Sequence, residues 1–178
     1  LGIEFPGGPV IEKWANKGNK NFFKLPKPIF KRGGCNLSFA GLKTAVLRVS
    51  KELKSKKEKY HLAASFQKTI NEILYEKTRV AMDLFLKNKK NKKNVFVIAG
   101  GVAANVSIRK NLIQLSKEKN FSSVFPPINL CSDNAAMIAW AGIERYKINL
   151  IDNLKFLSRA RWPLDSSAPF LKGPGLKL

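Results

Sequence analysis

The chain has 178 residues, 44% of them hydrophobic, and a formal net charge of +21. It is long and apolar enough for a folded domain with its own core, which excludes a disordered tail. It carries neither an apolar run of about 18 residues nor a basic-then-apolar leader, so the expectation is a soluble, cytoplasmic chain without membrane contact.

Lysine supplies 26 of the 33 basic residues, and the charge has two readings. It would draw the chain to nucleic acid or to an anionic membrane surface. Equally, lysine mixed with Asn, Ile and Phe is what a compositionally biased genome yields, and the run Lys87–Lys93 suits a solvated linker between a helix and a strand. The two cysteines, Cys35 and Cys131, match no zinc spacing and are too few for a disulfide framework.

In chain order, Pro6–Asn16 reads as a glycine turn entering a helix, with Pro9 in its first turn and Val10, Ile11 and Trp14 on its inner face. Glu12 lies early in that helix, where the dipole alone would favour a carboxylate. Asn21–Leu25 suggests a short strand, and Pro26 and Pro28 hold the chain extended up to a turn at Gly33-Gly34. Ser38 is placed to cap a helix whose stripe is Leu42, Val46, Val49 and Leu53. Ser55–Tyr60 reads as a basic hinge, followed by a long helix over His61–Lys87 that buries Leu62, Phe66, Ile70, Ile73, Leu74, Ala81 and Phe85. His61, the only histidine, stands at its edge as a capping or surface residue, and Ser65 and Gln67 are ambiguous.

Val95–Ala99 is an unbroken run of β-branched and aromatic type, as in a strand buried on both faces. Gly100-Gly101 ends it, and Val102–Glu118 follows at helical spacing, with Val106, Ile108, Leu112, Ile113 and Leu115 free to cover a sheet. Glycines between a strand and a helix either cradle a phosphate on open amides or simply make a tight turn. Asn105, one turn into that helix, is a poor interior residue there and so a candidate to face the loop. Ser122–Phe125 completes a βαβ unit, expected to be parallel, and Pro126-Pro127 closes it. The last helix, Asn134–Tyr146, is rich in alanine; Asp133 before it is either an N-cap or a ligand-binding carboxylate. In the tail, Arg159, Arg161 and Trp162 could clamp RNA or pack the terminus.

Five stretches, taken in order, give these residues a family. They are Phe5–Glu12 (with its Pro-Gly-Gly-Pro), Leu37–Thr44, Ala63–Gln67, Ala99–Asn105 (Ala-Gly-Gly-Val-Ala-Ala-Asn) and Cys131–Ala139 (Cys-Ser-Asp-Asn-Ala-Ala-Met-Ile-Ala); Arg161–Leu164 also fits. Together they resemble the transferases that make N6-threonylcarbamoyladenosine in tRNA, formerly labelled O-sialoglycoprotein endopeptidases. The resemblance implies an α/β fold of the actin-like ATPase superfamily, in which two RNase H-like lobes face a nucleotide cleft. This chain resembles the second lobe with added helices: a helical part over 38–90, a βαβα core over 91–150 and a tail over 151–178. It implies that Gly8, Gly100, Gly101 and Asn105 hold the adenylate (or ATP), with Glu12 at the ribose. Asp133 would be a ligand of one divalent metal ion, iron or zinc.

The family's H-x-x-x-H metal motif and first phosphate loop belong to the first lobe and have no counterpart here, so the expectation is a C-terminal fragment, inactive alone, whose metal is shared with the missing lobe. The implied reaction moves the threonylcarbamoyl group from threonylcarbamoyl-adenylate to N6 of an anticodon-loop adenosine in tRNAs reading ANN codons, with partner proteins of the threonylcarbamoyladenosine synthesis complex. The rival readings are a basic module that binds tRNA or a partner without catalysis, and another ATPase of the superfamily. No residue reads as a general base, and none is assigned a catalytic role.

Overall fold

In a computed structural model, residues 1–87 and 93–155 are described. The centre of the Lys87–Lys93 run and the Ser158–Asp165 segment, with Arg159, Arg161 and Trp162, lie outside them. The helices are α1 (Gly7–Ala15), α2 (Ala40–Glu52), α3 (Lys56–Lys87), α4 (Val106–Glu118) and α5 (Ala135–Lys147); the strands are β1 (Val95–Val97) and β2 (Ser122–Val124). Two compact units result, Leu1–Asn134 and the part from Ala135 onward.

In the first unit α3 is the spine against which α1, α2 and α4 pack. One apolar cluster joins Leu25, Leu42, Leu62 and Ile73, with Val46, Val49 and Leu53 of the α2 stripe beside them. The other joins Met82, Ile108, Leu112, Leu115 and Phe121. Ile70 packs against both, so the long helix carries one cluster on each of two faces.

β1 and β2 pair in parallel as expected, with Val95 beside Ser122 and Val97 beside Val124. The strand run is not buried on both faces. Phe96 and Ile98 turn into the α3–α4 cluster, whereas Val95 and Val97 are exposed. The alternation imposed by a pleated strand decides this, because the helices of this unit cover one face. Val106 and Phe85 are exposed as well, contrary to their expected burial, although Phe85 leans on Phe121 with ring centroids 5.7 Å apart.

Other expectations change at the ends of elements. The Asn21–Leu25 segment forms no strand; Phe23 donates its amide to Ser65 Oγ and Leu25 is buried, so the segment is pinned to α3 by a side chain rather than by a neighbouring strand. Ser38 is not a cap, because α2 begins at Ala40 behind Phe39, which gives no side-chain cap. His61 is neither cap nor free surface: it lies inside α3, accepts the amide of Asn19 on Nδ1 at 2.9 Å and stacks on Phe22. Gly18 lets that turn approach α3 closely. A Cβ there would fall 2.0 Å from the Tyr60 carbonyl oxygen, so any side chain forces the two apart.

The expected hinge at Ser55–Tyr60 is helix from Lys56 onward. Ser55 Oγ accepts the amide of Glu58, while the Glu58 carboxylate accepts the amides of Lys54 (2.7 Å) and Ser55 (3.1 Å), a capping box that starts α3 at Lys56. The Lys54 and Ser55 amides hold Glu58 below the ordinary carboxylate range. The Lys119 ammonium does the same to Asp83, and the Arg79 guanidinium to Glu76. Groups whose folded pKa is depressed favour the fold above the ordinary carboxylate value and lose that contribution as pH falls through the lowered one. The melting temperature should therefore fall steadily from about pH 5 to about pH 3, and Glu58→Gln should flatten part of that fall. Thermal melts across that range check it; a curve identical for both proteins would contradict the capping role.

Among the described residues no helix is long and apolar enough to cross a membrane. In the second unit, α5 ends in a turn in which Leu150 donates its amide to the Arg145 carbonyl, and Arg145 pairs with Asp152 at 3.5 Å.

Candidate functional site at the start of helix α4

After β1 the chain turns at Gly100, whose φ of +82° is left-handed and open to glycine at little cost. A short 3-10 helix, Gly101–Ala104, follows and ends at Asn105. Asn105 is therefore not one turn into α4 but its N-cap: its backbone is extended and its Oδ1 accepts the Ile108 amide at 2.9 Å. An asparagine side chain satisfies an open helix amide better than it packs in a helix interior, and this breaks an apolar pattern that otherwise runs on from Val102.

The two amides before Ile108 are satisfied from another helix. Glu12 Oε1, on α1, accepts from Val106 N at 2.8 Å and from Ser107 N at 3.2 Å. A carboxylate and an amide oxygen thus occupy the positive end of α4, where both are favoured by the dipole. The Val106, Ser107 and Ile108 amides of α4 are thus all bonded within the chain.

Asn105 is itself held. Its Nδ2 donates to Gln67 Oε1 at 2.9 Å, and Gln67, buried on α3, donates from Nε2 to Asn71 Oδ1 at 3.1 Å. Asn71 Nδ2 donates to Ser107 Oγ at 2.8 Å, and Asn111 Nδ2 donates to the Asn71 carbonyl. The chain of amides runs from α4 to α3 and back. Gln67, ambiguous in the sequence, lies on the buried face of α3 two residues beyond Ser65. Beside this network lies a cleft of about 710 Å³ that Gln67, Asn71, Ser107 and Asn111 help to line.

Gly8 sits one turn before Glu12 on α1, exposed, with open space where a Cβ would point. Packing gives no reason for glycine at this position.

A second tie was not visible in the sequence. Arg109 of α4 donates from Nε to the Ala103 carbonyl, and from Nη2 to the Pro126 carbonyl at 3.0 Å and to Cys131 Sγ at 3.2 Å; its guanidinium also lies over the Phe125 ring. One cation therefore joins the loop before α4 to the loop that carries Asp133. Asp133 is exposed and is not the cap of α5, which begins at Ala135 with Asn134 before it. Among the described residues no three His, Cys, Asp or Glu side chains come together to hold a metal ion. Asp133 offers one carboxylate, too few ligands for a tight site by itself.

Comparison with known proteins shows what this arrangement belongs to. The family described as tRNA N6-adenosine threonylcarbamoyltransferase matches residues 1–140. The chain belongs to that family. The matched span takes in Gly8, Glu12, Gly100, Gly101, Asn105 and Asp133. Named relatives of the tRNA N6-adenosine threonylcarbamoyltransferase family agree: the protein of Pelagibacter ubique is 60% identical over 100% of this chain and 50% of its own length. That of Rhodospirillum rubrum is 43% identical over 98% of the chain and 49% of its own, and that of Rickettsia rickettsii 48% over 93% and 49%. The chain thus spans about half the length of these relatives.

Proposed function

We propose that this chain forms one lobe of a two-lobed transferase with the actin-like, RNase H-like fold, and that the start of α4 is its wall of the adenylate site. The observation that carries the reading is that Glu12 and Asn105, from distant segments, meet on successive amides of one helix. The carboxylate would face the ribose and Asn105 the adenylate, while the open position at Gly8 leaves room for the ligand beside α1. Gly100 and Gly101 would bring the backbone close to it.

In the proposed reaction the N6 amine of an anticodon-loop adenosine bonds to the carbamoyl carbon of threonylcarbamoyl-adenylate. The bond from that carbon to the phosphate oxygen breaks, AMP departs and the amine gives up a proton. This chain's residues bind and orient, and holding two reactants in register is where most of their effect would lie. A divalent ion, iron or zinc, would supply Lewis-acid polarisation of the carbamoyl group, with Asp133 as one ligand and the others outside the described residues. Partner proteins of the threonylcarbamoyladenosine synthesis complex would deliver the adenylate.

The charge supports a second reading, in which the chain binds tRNA or a partner without chemistry. Mixing this chain with a separately made preceding lobe, adenylate and tRNA separates the two. The transferase reading expects modified adenosine from the mixture and none from this chain alone. No product, under conditions where a full-length relative gives it, would leave the binding module.

A further inference from the structure

The segment from Lys20 to Arg32 and the face of α3 enclose a groove of about 850 Å³. Lys20, Lys24, Lys27, Lys31, Arg32 and Lys68 line it, against the single carboxylate of Glu72. Glu72 pairs with Lys27 at 2.5 Å and Lys68 at 3.7 Å. Among the described residues no ion pair engages Lys20, Lys24, Lys31 or Arg32.

These cations are not on a loose loop. His61 holds the Asn19 amide and Ser65 Oγ the Phe23 amide; Leu25 is buried; and the buried ammonium of Lys77 donates to the carbonyls of Arg32 (2.7 Å) and Gly34 (3.3 Å). The backbone that carries these four positive charges is thus anchored, and among the described residues no ion pair neutralises them, so one wall presents a seat for a polyanion. The groove also leads somewhere. It shares Lys20, Lys27, Phe30, Lys68 and Glu72 with the cleft that Gln67, Asn71, Ser107 and Asn111 line beside the α4 network. Cations that neutralise phosphates, followed by a cleft where Asn111 keeps its amide oxygen and Asn71 one amide hydrogen outside the network, fit a nucleic acid strand better than an acidic peptide.

We infer that this groove seats the phosphate backbone of the tRNA substrate and points the strand toward the start of α4. The inference rests on the transferase reading above. The test compares tRNA binding by the wild-type chain with two variants of equal charge loss, measured by fluorescence anisotropy over a range of salt. The groove variant carries Lys20→Ser, Lys24→Ser, Lys31→Ser and Arg32→Ser; the control carries Lys13→Ser, Lys51→Ser, Lys110→Ser and Lys117→Ser, all exposed elsewhere. If each groove cation meets one phosphate, the slope of log affinity against log salt falls in magnitude by about 3, and affinity at low salt drops at least about tenfold. The control should stay within about threefold of wild type. Equal losses in both variants, or full tRNA binding by the groove variant, would overturn the groove. So would loss of binding to a polyglutamate probe while tRNA binding is kept, which would mark an acidic protein partner. Adenylate affinity measured on the same variants distinguishes the two ideas: if it stays intact while the tRNA result fails, the groove falls and the adenylate site stands. Thermal melts of both variants confirm that the exposed substitutions leave the fold in place.

Discussion

Replacing Arg109 with methionine is expected to lower the melting temperature by about 5–10 °C. The guanidinium holds the Ala103 and Pro126 carbonyls and Cys131 Sγ and covers the Phe125 ring. Hydrogen bonds to a charged donor contribute roughly 1.5–3 kcal/mol each when fully effective, and a partly solvated group keeps only part of that, so a net loss of about 2–3 kcal/mol is reasonable. In a chain of this size each kcal/mol moves the midpoint by about 2–4 °C. Arg109→Lys keeps the charge and loses the fork, so it should recover less than half of the loss. Scanning calorimetry on the three proteins decides it; a methionine variant melting within about 1 °C of wild type would mean that the two loops are held by something else.

Asn105→Ala should cost about 2–3 kcal/mol. About 1 kcal/mol is the lost N-cap on the Ile108 amide, and the rest follows from leaving the buried Gln67 oxygen without its donor. Asn105→Ser separates the two terms, since a serine hydroxyl still caps but does not reach Gln67 as the amide does. Denaturant unfolding should rank wild type above serine and serine above alanine.

The parts of this fold that could be read from the sequence are those with a repeating or punctuated signal. Pro9 and the spacing of Val10, Ile11 and Trp14 gave α1, the stripe from Leu42 to Leu53 gave α2, and a strand, helix and strand gave a parallel pair. What stayed hidden depends on contacts between distant segments. Gly18 looks like any glycine until the Tyr60 carbonyl stands against it, and Arg109 looks like a solvated helix residue until four loop groups converge on it. Ser55 and Glu58 did carry a readable capping signal, but the lysines around them suggested a hinge. At the candidate site, the oddness of Asn105 inside an apparent helix was legible and its cause was not: the helix starts after it. That Glu12 should bond α4 rather than serve only its own helix needed the tertiary fold, and so did the role of Gln67.

The central claim is that the start of α4 seats the adenylate through Asn105, and Asn105→Ser tests it with the helix still capped. Adenylate affinity should be measured by calorimetric titration of this chain mixed with the separately made N-terminal half of a full-length relative, wild type against the serine variant. The account predicts a loss of at least about tenfold in affinity, the equivalent of one good hydrogen bond to a polar ligand. Unchanged affinity in a folded variant would contradict it.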